Sequence, residues 1–401
     1  VQNSCMQQII VPAILTTPAP FGRRIAPNRF LAQPMEGNDA ENGGVPSERT
    51  LARYAALGRG QWGVTVVEAV SVVPDCLARV NQLILEKQNL DGFKRLVAAY
   101  KQANPDGILL VQITHSGRKG VGGTVPTTLT PGPEGARLLT SADLDDIRRR
   151  FVAAARLVEQ AGADGIDFKL CHGYLGAEML RPSNNRSDGW GGTWENRTRF
   201  LRESVPEIRS LTGKDFLIGA RLSLYEGIRG GCGTLAADEL LEDLSEMKRL
   251  VALMSELGMD YVNASAGIPG ETSEITRPVP QARWFYLDHI RYSKTVSDVL
   301  RAASGAGKDR PAVIQSAFSL LKADALPHAA QCIERGYSDF AGFGRQIFAD
   351  PETPAKLLCG EEPRWCTACS GCSKLMVRQV NDGCSLYDEY YKKLLSQGAG
   401  A

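Results

Sequence analysis

The chain has 401 residues, with 46 Lys and Arg against 45 Asp and Glu and a formal net charge of +1. That balance argues against a nucleic-acid surface or a polybasic membrane face. No apolar run approaches the roughly 20 residues needed to span a bilayer, and the N-terminal stretch has neither a positively charged start nor a long apolar core, so no secretory signal is read there. The expected compartment is the cytoplasm, where thiols stay reduced.

Taken in order, residues 1–27 are Pro-rich and are expected to be irregular, closing one end of the domain. Arg29–Gln33 reads as a first strand and runs into Pro34, Met35 and Glu36. Ser47–Gly58 reads as a helix with Ser47 as N-cap. Val64–Val70 is an apolar run suited to a parallel strand buried on both faces, and it contains Ala69. A helix over Asp91–Gln102 leads to a strand over Ile108–Ile113, which delivers Gln112 and then His115 and Arg118. The segment from Gly120 to Pro133, rich in Gly, Thr and Pro, is read as a loop over the functional face.

An amphipathic helix over Asp143–Gln160 precedes a short strand, Gly165–Lys169. Lys169, His172 and Tyr174 then appear within six residues. A helix, a buried strand and reactive groups at its carboxyl end form the αβ unit of a TIM barrel at its catalytic face. A helix over Asn196–Leu211 leads to a strand over Phe216–Leu222 that contains Arg221. A long amphipathic helix is predicted over Ala236–Leu257, then a strand over Asp260–Ala264. A loop from Pro269 ends in Trp284, Phe285 and Tyr286, read as packing at a helix start in preference to a cation-binding aromatic cage. Strands over Ala312–Gln315 and Asp339–Gly342 complete a set of eight, the second followed by Phe343, Gly344 and Arg345. The predicted architecture is an α/β fold: a (β/α)8 TIM barrel over residues 1–360, with a Cys-rich extension over 361–401 ending in a helix at Tyr387–Gln397.

Of the ten cysteines, Cys5, Cys76, Cys171, Cys232, Cys332 and Cys359 are scattered and read as buried, inert thiols. Cys366, Cys369, Cys372 and Cys384 are spaced C-x2-C-x2-C-x11-C. On spacing alone a [4Fe–4S] cluster and a structural zinc are comparable, with free thiols a third reading. Zinc ribbons carry two separated C-x2-C pairs, which this segment lacks, so three cysteines followed by a distant fourth favour iron–sulfur.

The stretch His172-Gly173-Tyr174-Leu175, Pro182, Asn184, Arg186, Asp188, Gly191-Gly192 and Glu195-Asn196-Arg197 resembles the old yellow enzyme family of FMN-dependent oxidoreductases, and the similarity runs over most of the chain. The resemblance implies FMN held by Pro34, Met35, Glu36, Ala69, Gln112, Arg221, Phe343, Gly344 and Arg345. Gln112 would meet the pyrimidine edge, Arg221 the charge of the reduced flavin, and Gly344 with Arg345 the phosphate. It implies reduction of an activated C=C bond in a small-molecule enone, enoate or enoyl thioester. Hydride would pass from FMN to the β-carbon, Tyr174 would protonate the α-carbon, and Lys169 and His172 would polarise the activating group.

Two positions depart from the family pattern: Lys169 stands where a His is usual, and Ala317-Phe318 stand where Gly-Gly cradles the phosphate. Lys169 is alternatively read as a lysine of lowered pKa acting as acid or base. Glu36 is read either as a carboxylate that disfavours the anionic reduced flavin or as one turned into a salt bridge.

The four clustered cysteines resemble the subfamily of trimethylamine dehydrogenase and dienoyl-CoA reductase, which implies single-electron transfer between a [4Fe–4S] cluster and FMN. Those relatives continue into dinucleotide-binding domains, whereas no Gly-x-Gly-x-x-Gly fingerprint is visible here. Electrons are therefore expected from a separate protein donor or partner subunit. Rival expectations are an amine or alcohol dehydrogenase, an electron-transfer subunit, and a zinc-tailed reductase using NAD(P)H directly. A homo-oligomer is compatible with all of them.

Overall fold

The computed structural model describes residues 9–121, 123–132, 134–276, 285–304 and 310–397. Eight short apolar runs form parallel strands: β1 (Phe30–Ala32), β2 (Val64–Ser71), β3 (Ile108–Thr114), β4 (Gly165–Leu170), β5 (Leu217–Ser223), β6 (Tyr261–Ser265), β7 (Ala312–Gln315) and β8 (Phe340–Phe343). Nearly every residue in them is buried, as expected for strands covered on both faces. They close in the order β6-β7-β8-β1-β2-β3-β4-β5, the expected (β/α)8 barrel. The registers set side-chain neighbours across the barrel. Gln112 pairs with Asp167 between β3 and β4, Lys169 with Arg221 between β4 and β5, and Arg221 with Asn263 between β5 and β6.

Helices α1 (Glu48–Arg59), α2 (Leu90–Ala103), α3 (Ser141–Gln160) and α4 (Trp194–Leu211) lie close to their predicted bounds. Ser47 caps α1 as expected: its Oγ accepts the Thr50 N–H at 3.1 Å, and Thr50 Oγ1 accepts the Ser47 N–H at 3.2 Å. Thr140 and Asp143 make the same reciprocal pair, which starts α3 two residues before the predicted Asp143.

The predicted helix over Ala236–Leu257 is shortened to α5 (Ser245–Glu256). Upstream, backbone groups are used elsewhere. Gly230 N–H donates to Glu239 O, Asp243 N–H donates to Gly233 O, and the Glu239 carboxylate accepts from the Leu240 and Leu241 N–H groups. Such local acceptors compete with helical hydrogen bonds. Thr127–Thr128, within the expected loop, pairs with Arg137–Leu138 beyond it as a small parallel sheet. Trp284 lies outside the described residues, and Phe285 begins α6 (Phe285–Ser304).

The N-terminal segment is more ordered than expected. A helical turn (Ala13–Thr16) precedes an antiparallel hairpin of Ala19–Phe21 and Arg24–Ala26. Phe21 enters the amino end of the barrel, with its ring centroid 4.9 Å from that of Tyr261 and 5.0 Å from that of Phe340. Both partners are first residues of their strands, so the hairpin plugs the end opposite the cavity described below.

The cysteine segment is tied back to the barrel. Asp382 N–H donates to Gly37 O at 2.7 Å, Asn38 Nδ2 to Val380 O at 3.0 Å, and Cys366 N–H to Gln346 Oε1 at 2.8 Å. Among the described residues no helix is long and apolar enough to cross a membrane. Cys76, Cys171, Cys232 and Cys332 are buried as expected, whereas Cys359 is exposed, at the end of a short surface helix; Cys5 lies outside the described residues.

Phe21→Ala removes an aromatic plug and leaves a cavity. It is expected to lower unfolding stability by about 3–5 kcal/mol while leaving the opposite end of the barrel in place, which denaturant unfolding with parallel ligand titration would measure.

Candidate active site

A cavity of about 480 Å³ lies at the carboxyl ends of the strands, where a barrel of this class carries its chemistry. Pro34, Met35 and Glu36 line it from the end of β1, Gln112 from β3, Lys169 from β4 and His172 and Tyr174 from just beyond it, Arg221 from β5, and Gly344 and Arg345 from the exit of β8. Two of the sequence-selected residues are not in its wall. Ala69 is buried within β2, its carbonyl accepting from Gln82 Nε2 at 3.0 Å. Phe343 packs into the core against Phe30, Trp62 and Phe318.

Glu36 is the centre of the charged cluster. Its Oε1 accepts from Lys169 Nζ at 2.8 Å and from the Tyr174 hydroxyl at 3.2 Å, and its Oε2 meets an Arg79 guanidinium nitrogen at 2.6 Å. Burial by itself would raise its pKa, but Arg79 and Lys169 outweigh it and hold the carboxyl at about 2. Glu36 is therefore in a salt bridge, as one of its two readings expected, yet it stays in the cavity wall, and its charge is compensated by two cations. Lys169 loses stability as a cation through burial, yet Glu36 holds its pKa above the ordinary value. That direction is opposite to the one the alternative reading of Lys169 expected. Tyr174 is pushed up by burial and by the nearby carboxylate, so the phenol is protonated at neutral pH.

His172 sits in the left-handed region, φ +61°. Its Nε2 is 2.8 Å from Ser265 Oγ, and its backbone N–H donates to Ser223 Oγ at 3.1 Å. The ring is thus fixed by the ends of β5 and β6. His115 Nδ1 accepts the Gly117 N–H at 3.1 Å, burial holds its imidazole down at about 4, and Arg118, which lines the cavity, pairs with Glu178 at 2.5 Å.

Beneath the cavity, Gln112 Nε2 donates to Asp167 Oδ2 at 2.6 Å. Burial raises the Asp167 carboxyl to about 6 against the opposing pull of Gln112, Tyr261, Arg221 and Lys169. Arg221 lines the cavity, and its buried Nε has no hydrogen-bond partner among the described residues. Farther along the cavity, Ala317 adopts φ +79°, the conformation the expected glycine would favour, and it lines the cavity together with Gly344 and Arg345. The Ala–Phe substitution therefore keeps the turn at a cost of about 1–2 kcal/mol. An unpartnered guanidinium and a left-handed turn beside Gly344 and Arg345 suit an anionic group of flavin type.

Cys366, Cys369, Cys372 and Cys384 border one small cavity of about 20 Å³, and Cys372 and Arg345 line that cavity and the large one alike. Burial and neighbouring thiols raise Cys366 and Cys384, and burial with the Asp382 carboxylate pushes Cys372 up to about 12. As placed, no group of three or more His, Cys, Asp or Glu side chains among the described residues is set to hold a metal ion. The donor set is nonetheless four thiols around a common space.

Arg79, Asp167, Ser265 and Asp382 were not selected from sequence. Arg79 and Asp382 lie on connecting segments with no motif around them, and only the folded chain brings them near Glu36. Asp167 had a weak signal, a lone carboxylate inside an otherwise apolar strand.

A family model, the NADH:flavin oxidoreductase / NADH oxidase family, matches residues 15–362. The chain is 28% identical over 367 residues to an NADH oxidase of Thermoanaerobacter brockii, covering 88% of this chain and 52% of that protein. It is 26% identical over 431 residues to a cinnamate reductase of Clostridium sporogenes, covering 96% of this chain and 61% of that protein. Among solved structures, a 2-naphthoyl-CoA reductase in complex with 2-naphthoyl-CoA superposes with a TM-score of 0.80 at 22% identity, over 95% of this chain and 58% of that one. The chain thus spans little more than half the length of these proteins, and the likeness to the solved structure is one of fold. With the family model spanning nearly the whole barrel, the chain belongs to the NADH:flavin oxidoreductase / NADH oxidase family.

Proposed function

We propose that this protein binds FMN and reduces an activated C=C bond in a small-molecule enone, enoate or enoyl thioester. The observation that carries the reading is the cluster of Tyr174, Lys169 and His172 in the wall of a cavity that also holds the unpartnered Arg221 guanidinium. The similarity to a cinnamate reductase supports a C=C substrate.

FMN, when bound, supplies the hydride. Gln112 presents its amide oxygen to the cofactor's edge, because its nitrogen is engaged by Asp167. Arg221 supplies a charge and a donor for an electron-rich edge. Gly344, Arg345 and the turn at Ala317 hold the phosphate, Pro34 and Met35 wall the cavity at the end of β1, and Ala69 and Phe343 shape the site from behind. His172, fixed by Ser265 and Ser223, polarises the activating oxygen of the substrate, and Tyr174 gives the proton.

The four cysteines hold a [4Fe–4S] cluster that exchanges single electrons with a separate protein donor. Support comes from the four thiols around one space and from Cys372, which faces that space and the large cavity. A structural zinc is the competing occupant.

Three outcomes test this. Tyr174→Phe is expected to slow substrate reduction on the order of 100-fold or more, read as reoxidation of the reduced flavin by the substrate; an undiminished rate removes Tyr174 as donor. Arg221→Met removes a charged hydrogen bond of about 1.5–3 kcal/mol and is expected to weaken FMN binding about 10- to 150-fold in a flavin titration. Anaerobically prepared protein is expected to contain about four iron and four sulfide per FMN. Zinc, or no metal, together with fast reduction by NAD(P)H alone, would replace the cluster with a zinc-tailed or metal-free reductase.

A further inference from the structure

The charged cluster around Glu36 has a geometry that a carbonyl-polarising lysine does not need. Lys169 Nζ and the Tyr174 hydroxyl both donate to one oxygen, Glu36 Oε1, at 2.8 and 3.2 Å. Arg79 fixes the other oxygen at 2.6 Å, so the carboxylate cannot turn away. The ammonium stands over the phenol ring, 3.4 Å from its centroid. All of these groups are buried to within about a sixth of full side-chain exposure or less, where a fixed charge acts more strongly than in water.

We propose that Lys169 and Tyr174 form one proton-donating dyad, held together by Glu36, in which Lys169 works through the phenol instead of on the substrate. The proposal rests on the reading of Tyr174 as proton donor in C=C reduction. A hydride from the reduced flavin forms a C–H bond at the β-carbon, and the C=C π pair moves to the α-carbon and its activating group. The Tyr174 hydroxyl turns from Glu36 to the α-carbon, its O–H bond breaks, and the proton forms the second C–H bond. The phenolate left behind is stabilised by the ammonium above it. Lys169 then passes a proton to the phenolate oxygen and takes one back from solvent, so the substrate gains one hydride and one proton and the protein ends as it began.

Glu36 is a positioning residue here. With its charge already paired by Arg79 it is a poor proton carrier, and its work is to keep Nζ and the phenol oxygen on a common acceptor. The ionisable groups around the dyad are few. Tyr174 faces Lys169, Glu36 and Arg79, Lys169 also faces Cys171 and Asp167, and Glu36 faces Asp382 beyond Arg79. The arrangement also accounts for a lysine at a position where substrate binding alone would accept a neutral donor. An ammonium both stabilises the phenolate and replaces its proton, and an imidazole of ordinary pKa would be largely neutral at pH 7.

The test uses flavin-loaded protein reduced anaerobically, then mixed with saturating 2-cyclohexenone as a neutral probe or cinnamate as an anionic one. Lys169→Met is expected to slow flavin reoxidation by both probes on the order of 100-fold. It should also move the Tyr174 ionisation upward in an ultraviolet difference titration against the matching Tyr174→Phe protein. Lys169→Arg, which keeps the cation, is expected to restore most of the single-turnover rate and the titration midpoint. If Lys169→Met fails to fold, Lys169→Gln, which can still donate to Glu36, takes its place with the same readouts. The dyad is overturned if the neutral variant raises only the probe concentration for half-maximal rate, with the saturated rate and the tyrosine titration kept; Lys169 is then a substrate ligand. Failure of the C=C reading looks different: reduced wild-type protein transfers nothing to either probe, or Tyr174→Phe keeps the wild-type rate, and the dyad falls with it.

Discussion

A buried carboxylate with three donors on it organises the functional end of this barrel. Glu36 leaves β1 and meets Lys169 from β4, Tyr174 from the turn after it, and Arg79 from the connection after β2. Burying an isolated charge is expensive, and it is tolerated only when partners and hydrogen bonds compensate. Here both oxygens are taken by cations, so three elements are locked to one another at the cavity wall. The same reasoning applies one shell away, where Arg53 pairs with Asp39 and Glu68 at 2.7 and 2.6 Å, and Glu68 accepts the Gly37 N–H at 2.9 Å. The backbone that carries Glu36 is thus held from behind.

The barrel separates stability from chemistry along its axis. At the amino end, Phe21 closes a dry cluster with Tyr261, Phe340 and the first residues of the strands. At the carboxyl end the strands carry Gln112, Lys169, Arg221 and Asn263 in register with polar neighbours. At the floor of the cavity, Gln33 and Asn263 exchange hydrogen bonds at 3.0 and 2.8 Å, and Gln33 reaches Ser316 at 2.6 Å. This layer satisfies its own polar atoms, which lets the cavity above it carry unpartnered ones. The cysteine segment extends that wall, since Asp382 and Cys372 face the same cavity as Glu36.

The departures from the family pattern become coherent in three dimensions. Lys169, which stands in place of His, and Glu36 are each other's partners. Without Glu36 the buried Lys169 would lose its salt bridge, a costly loss for a buried charge, whereas Glu36 also has Arg79. Ala317 in place of Gly keeps a left-handed turn with a Cβ in it, so the backbone geometry at that end of the cavity outlasts the residue type that would make it least strained.

By itself, the sequence determined the eight-strand barrel, the cap at Ser47, and the concentration of chemistry at Lys169, His172 and Tyr174. Those features are local: apolar runs between helical periodicities, a Ser three residues before its partner, and reactive groups at one strand's end. It also displayed the four cysteines, whose spacing is a property of the chain. The tertiary structure decided what depended on distance across the fold. The helix predicted from Ala236 yields its first two turns to hydrogen bonds with Gly230 and Gly233. Phe343 turns into the core and Ala69 lies behind the cavity wall, because a strand's alternation fixes which side of the barrel each residue faces. Arg79 and Asp382 join Glu36 from segments with no pattern of their own, and the salt bridge of Glu36 is made inside the cavity. Pairing across a barrel is set by closure and register, and neither is written in the spacing of residues along one segment.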